Sequence, residues 1–162
     1  MINQNFILFI VAVTFCAYVC GDVSHLAGAG TKTPDVTEVC LGCICEASSG
    51  CNRTLSCNGD VCGLFRITWA YWADSGKPTQ PGESPDAVNA YSNCVNEPFC
   101  AARSVQGYMA KFGQDCNDDG KINCLDHAAI HIHGGYGCRN PLPEKYKVKF
   151  DECLSNIVQA QG

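Results

Sequence analysis

The chain has 162 residues, 16 acidic and 11 basic, for a formal charge of −5, a length that suits one domain with a modest core. No basic run interrupts it, so long-range attraction to nucleic acid or to an anionic membrane surface is not built in, and a mechanism that needs a cationic surface is disfavoured. Fourteen cysteines in so short a chain point instead to an oxidising compartment.

The first element is an apolar run from Phe6 to Val19, ending in Val19-Cys20-Gly21. It is too short for a stable membrane span and ends in small residues, so residues 1–21 read as a cleaved secretory signal and the mature chain as an extracellular protein. All the charged residues follow Gly21, so the mature charge is unchanged. Residues 22–37 are rich in Gly, Ala and Thr without periodicity and read as a flexible lead-in. The folded domain is expected over 38–158, with 159–162 as a tail.

Twelve cysteines lie between Cys40 and Cys153, an even number that reads as six disulfides of undetermined pairing. Cys40-x-x-Cys43 has no second CxxC and no His at finger spacing, which argues against zinc. Cys40, Leu41, Ile44, Ala47 and Ser48 follow helical spacing, with Gly50 as the stop. Asn52-Arg53-Thr54 is an acceptor triplet for N-glycosylation. From Cys62 to Trp69 the alternation of Phe65, Ile67 and Trp69 predicts a strand. Pro78, Pro81 and Pro85 with Gly76 and Gly82 make a loop. Ser84-Pro85-Asp86 then reads as a helix start leading into Val88–Val95. Ala101, Ala102, Val105, Tyr108, Met109 and Phe112 form a helical stripe ended by Gly113, read as core. Further helices are expected from Cys124 to His133, stopped by Gly134-Gly135, and through Tyr146, Phe150, Leu154 and Ile157. The sum is an α+β chain, mostly helical with a small antiparallel sheet, without internal repeats or a second domain.

Residues 115–126, DCNDDGKINCLD, match the pattern of a twelve-residue calcium loop. Asp115, Asn117, Asp119 and Asn123 would offer side-chain oxygens, Lys121 its carbonyl and Asp126 the last ligand. Such an ion would be structural, since no cofactor is required by anything else in the chain. The plain alternative is a polar turn between helices.

Long strings now carry a resemblance. CLGCICEASSGC (Cys40–Cys51), CGLFRITWAYWADSGKP (Cys62–Pro78), the Cys94–Cys100 segment, SVQGYMAKF (Ser104–Phe112) and AAIHIHGGYGC (Ala128–Cys138) occur in the order found in the invertebrate-type (i-type, destabilase-like) lysozymes. The chain resembles that family over nearly everything from Cys40 onward. The resemblance implies a small disulfide-rich lysozyme-like fold around a cleft for β-1,4-linked amino sugars, with bacterial peptidoglycan as the partner of a monomer. It also implies the pairings Cys40–Cys124, Cys43–Cys153, Cys45–Cys51, Cys57–Cys62, Cys94–Cys100 and Cys116–Cys138. Tyr71, Trp72 and His131 are the residues it would set against the sugar, although packing or capping is an equal reading of His131.

Glycoside hydrolysis ordinarily needs two carboxyl groups, one held protonated and one ionised. In the family pattern the acid is a Glu at the third position after the CxC cysteine, and here that position is Ser48. The second carboxylate, three residues after a later cysteine, corresponds to Asp60, which also reads as a turn residue of Asn58-Gly59-Asp60. Glu46 is no substitute, because two helical residues are separated by about 200°. A serine hydroxyl is far too weak an acid for the role, and losing general acid catalysis removes roughly 10²–10⁴-fold in rate. The expectation is muramidase activity weak or lost, with a non-catalytic glycan-binding or immune-modulating protein as the alternative. The isopeptidase activity of some relatives is also not expected, because its serine has no counterpart and Thr68 stands in place of its lysine.

Overall fold

The computed structural model describes residues 35–160; the segment 1–21 read as a secretory signal and most of the expected lead-in at 22–37 lie outside the described residues. Of the lead-in, Val36 is buried and Thr37 caps the first helix, so its last residues belong to the fold.

Helix α1 (Glu38–Ser49) opens with the Thr37 hydroxyl accepting from the Cys40 N–H at 3.1 Å. It closes on Gly50, whose φ of 67° is the left-handed conformation that a helix stop favours. Its buried face, with Cys40, Cys43, Ile44 and Ala47, packs chiefly on the last helix, α6 (Glu144–Ala160). That helix reaches Ala160, beyond the expected domain end at 158.

Between them lie a two-stranded sheet and four further helices. Strand β1 (Val61–Cys62) pairs antiparallel with β2 (Ile67–Thr68), Val61 opposite Thr68 and Cys62 opposite Ile67. The single strand expected over Cys62–Trp69 is therefore a tight hairpin. Gly63 and Arg66 both take positive φ (69° and 58°), which reverses the chain, and Leu64 and Phe65 are both buried instead of alternating. Trp69 starts helix α2 (Trp69–Asp74), capped by the Thr68 hydroxyl on the Tyr71 N–H at 3.3 Å. It is 56% exposed, not turned to the core as strand alternation required.

Helix α3 (Ala90–Val95) begins later than Ser84-Pro85 suggested. Ser84 does accept from the Asp86 N–H at 3.2 Å, but the next residues only turn, and Val88 is fully exposed with nothing to pack against. Helix α4 (Pro98–Phe112) carries the predicted stripe, with Ala101, Val105, Tyr108 and Met109 buried and the Glu97 carboxylate capping its start. Helix α5 (Cys124–His133) has the predicted bounds.

All six disulfides pair as the resemblance implied. Two of them, Cys40–Cys124 and Cys43–Cys153, tie α1 to the start of α5 and to α6 across 84 and 110 residues of chain. Bridges closing such long loops remove the most freedom from the unfolded chain, about 4–5 kcal/mol each on the chain-entropy view.

Gly63 provides a test of how tightly the hairpin is seated. A Cβ there would lie 1.9 Å from the Val95 carbonyl oxygen of α3, a backbone atom that cannot step aside, whereas Gly82, also at positive φ, faces open space. Gly63→Ala is expected to cost roughly 2–4 kcal/mol more than Gly82→Ala in chemical denaturation. Equal costs would mean that hairpin and α3 are not packed as described.

Candidate functional site

A cleft of about 670 Å³ opens between the two ends of the chain and its middle. One wall is the α1 end with Ala47 and Ser48; facing it are Tyr146 and Lys149 of α6. The hairpin adds Arg66 and Thr68, α2 adds Tyr71 and Asp74, and His131 comes from the end of α5.

The floor is aromatic. Tyr71 and Tyr108 stack with centroids 3.7 Å apart. The His131 ring lies edge-on to Tyr71. Its Nε2 sits 2.9 Å from the Phe65 carbonyl, which can only accept, so Nε2 carries the proton. Nδ1 is then an acceptor for the Tyr71 hydroxyl at 3.1 Å. Burial pushes His131 down to about 4, partly opposed by the Phe65 carbonyl. Burial likewise raises the Tyr71 phenol well above its ordinary range. His131 is thus a neutral, doubly bonded support for Tyr71.

Ser48 lines the cleft, but its hydroxyl donates to the Ile44 carbonyl one turn back, at 2.7 Å. Beside it the Tyr146 hydroxyl is buried without a hydrogen-bond partner. Burial raises that phenol, and the Ser48 side chain beside it pulls the other way. A side chain at position 48 long enough to carry an acceptor past the helix surface would meet this orphaned donor. Glu46 is exposed and lines a separate hollow with Glu152 and Asn156, as the helical rotation requires.

The remaining candidates are scattered. Asp60 is exposed on the hairpin approach and does not line the cleft; its carbonyl accepts from the Tyr91 hydroxyl at 3.2 Å. Trp72 is buried and its indole N–H donates to the Pro78 carbonyl at 2.8 Å, so it packs the loop rather than facing a ligand. Asp74 supplies the only carboxylate of the cleft lining, and Lys111 holds it at 2.6 Å. Asn52 is exposed, and its side-chain oxygen accepts from both the Thr54 N–H and hydroxyl, leaving the amide nitrogen outward.

The six positions of the expected calcium loop lie along the acidic turn that leads into α5 and in its first turn. Asp115 accepts from the Asp119 and Gly120 N–H groups, and Asn117 and Asp119 bond within the turn. Asn123 caps α5 through the Leu125 N–H. Lys121 is exposed and its N–H donates to Asp119. Asp126, 1% exposed, spends one oxygen on the Cys116 N–H and the other on the Asn123 N–H as the return arm of a capping box. Among the described residues no three His, Cys, Asp or Glu side chains are grouped as metal ligands.

Sequence reasoning missed Arg66, Lys145 and Lys149, which line the cleft. The signal for the two lysines was present, since they flank Tyr146 at positions i−1 and i+3 and so border its face of the helix.

A mostly helical, six-disulfide α+β chain with a cleft between α1 and α6 defines a lysozyme-like protein. A family model for destabilase matches residues 37–153. Lysozyme 1 of Crassostrea virginica is 37% identical over 137 residues, 81% of this chain, which spans only 62% of that protein's length. A lysozyme of Magallana gigas is 34% identical over 128 residues, 75% of this chain and 83% of the relative. The crystal structure of an inhibitor-bound lysozyme from Meretrix lusoria superposes with a TM-score of 0.58 at 29% identity, covering 72% of this chain and 89% of that one. The chain belongs to the destabilase, or i-type lysozyme, family.

Two measurements check the site. The His131 ring is expected to stay neutral in an NMR titration until the pH approaches 4. In the unfolded chain the same ring protonates near 6.5. The unfolded state therefore binds the extra proton first, and the stability due to neutral His131 is fully present above about 6.5 and lost as pH falls from there towards 4. A His131 ring titrating near 6.5 in the fold would contradict the buried Tyr71–His131–Phe65 chain. In the acidic turn, Asp126→Ala is expected to cost about 1–3 kcal/mol equally with or without calcium. Millimolar calcium should leave the wild-type melting temperature unchanged; a clear rise would show that Asp126 leaves its cap to bind the ion.

Proposed function

We propose that this protein is a secreted, antibacterial-type member of the lysozyme family that holds peptidoglycan, a β-1,4-linked amino-sugar polymer, in the α1–α6 cleft with muramidase turnover weak or lost. The observation that carries this reading is Ser48. Its hydroxyl is committed to the Ile44 carbonyl, and the one carboxylate lining the same cleft is paired with Lys111. His131 is neutral with its Nε2 proton donated to the Phe65 carbonyl, and Tyr146 is an even weaker acid than a free phenol. Binding does not need that proton, and the volume and aromatic floor of the cleft suit a saccharide. Six disulfides support an extracellular setting, and among the described residues no helix is long and apolar enough to cross a membrane.

The test is a pair of measurements on wild type and Ser48→Glu: sedimentation with insoluble peptidoglycan, and release of soluble fragments from it. Wild type is expected to sediment with the polymer and release little or nothing. Ser48→Glu places a carboxyl beside the orphaned Tyr146 hydroxyl, so it should fold at least as stably and gain measurable release, up to roughly 10²–10⁴-fold over wild type. Vigorous release by wild type would overturn the reading, because the acid would then be some other group.

A further inference from the structure

The charges of the cleft do not match those of the chain. The protein carries −5 overall, yet its cleft is lined by three cations, Arg66, Lys145 and Lys149, against the single carboxylate of Asp74. Asp74 is already neutralised by Lys111, which leaves the cationic side in excess. None of the three cations takes part in an ion pair within 4.0 Å among the described residues, although Lys77, Lys111, Arg139 and Lys147 all do. Glu46 and Glu152 border Lys149 on its far side, across a smaller hollow, without closing on it.

Their placement is also unusual in cost. Arg66 holds its side chain at the cleft from a φ of 58°, a left-handed conformation that strains any residue other than glycine. Lys145 and Lys149 sit one helical turn apart on either side of the buried Tyr146 hydroxyl that has no partner. Ser48, across from them, offers neutral oxygen lone pairs where a fixed negative charge would otherwise have balanced the lysines. A cleft with unpaired cations, an unsatisfied phenol donor and an aromatic floor is complementary to a sugar that carries its own negative charge.

We propose that the cleft selects anionic oligosaccharides, sugars bearing carboxylate or sulfate groups, over neutral ones. The inference rests on the glycan-binding reading above and adds the charge of the ligand to it. Arg66 offers a planar fork that matches either oxyanion through two parallel N–H bonds, while Lys145 and Lys149 act as point charges at the opposite rim. Low-dielectric walls strengthen the attraction inside the cleft, so local charge outweighs the net charge of the molecule.

The experiment is calorimetric titration of the full disulfide-bonded protein with three probes: chito-oligosaccharide (neutral), hyaluronan oligosaccharide (carboxylate) and heparin-derived oligosaccharide (sulfate). At least one anionic probe is expected to bind about tenfold or more tighter than the neutral one, with the advantage shrinking as salt is raised. Lys145→Gln/Lys149→Gln and, separately, Arg66→Gln should erase most of that advantage. Arg139→Gln, which removes a cation paired with Asp118 away from the cleft, should change nothing. Preference for hyaluronan or for heparin identifies which oxyanion the site takes. Equal affinity for neutral and anionic probes overturns the charge proposal while leaving the glycan-binding reading standing. Anionic binding that survives the cleft substitutions places it elsewhere and overturns the proposal too, and failure of all three probes overturns both. Fragment release by wild type would count against the catalytic reading alone.

Discussion

The packing of α1 on α6 is the constraint on which the rest of the structure depends. These helices are separated by most of the chain, and their contact is both hydrophobic, through Ile44 and Phe150, and covalent, through Cys43–Cys153. Bringing such distant segments together costs loop-closure entropy that a domain of this size recovers slowly from its core alone. The bridge removes much of that cost from the folding balance by constraining the unfolded chain. The cleft is a by-product of the same contact. Because α1 ends at Gly50 while α6 starts only at Glu144, the two helices leave Ser48 and Tyr146 facing a space that α2 and α5 close from below. Position 48 therefore borders the cleft whatever residue occupies it.

The pairing of Ser48 with Tyr146 has the character of an incomplete polar network. Buried donors are nearly always satisfied, and an unsatisfied one costs about 1–3 kcal/mol. Serine cannot serve Tyr146 because its short side chain folds back on the Ile44 carbonyl. The same shortening removes a negative charge from a wall that retains Lys145 and Lys149. On the proposed reading, a serine at position 48 links three features: the missing proton donor, the unpartnered phenol and the excess of cations in the cleft lining. The aromatic support beneath, from Phe65 through His131 to Tyr71 and Tyr108, is fully bonded and does not depend on position 48. Cleft shape and cleft chemistry are separable in this fold.

The helices were legible in the sequence where apolar periodicity and stop residues agreed. Gly50, Gly113 and Gly134 each mark a helix end that the structure reproduces. The hairpin was not legible, because its turn residue Arg66 is not one that favours positive φ and because Leu64 and Phe65 are both buried. Apparent alternation over 62–69 came from a turn and a helix start placed end to end. Asp126 carries two readings for a different reason: an acidic residue three positions after Asn123 suits both a capping box and the end of a calcium loop, and the cap is the one formed in this structure. Trp72 and Tyr71, adjacent in one motif, divide between loop packing and cleft floor for the same kind of reason, since helical rotation sends neighbours in different directions.

Charge was the property least available from composition. A net of −5 correctly describes the outer surface and argues against polyanionic partners there. It says nothing about a concavity, whose field depends on which few side chains converge and on whether each has already found a counter-ion. Here Lys111 and Arg139 are used up on Asp74 and Asp118, while Arg66, Lys145 and Lys149 make no ion pair among the described residues. An acidic protein with a cationic cleft repels polyanions that approach its surface at random and holds only a strand that enters at the right place. That combination favours selectivity over affinity, a trade open to a binding protein and of little use to an enzyme that must capture any accessible stretch of its polymer.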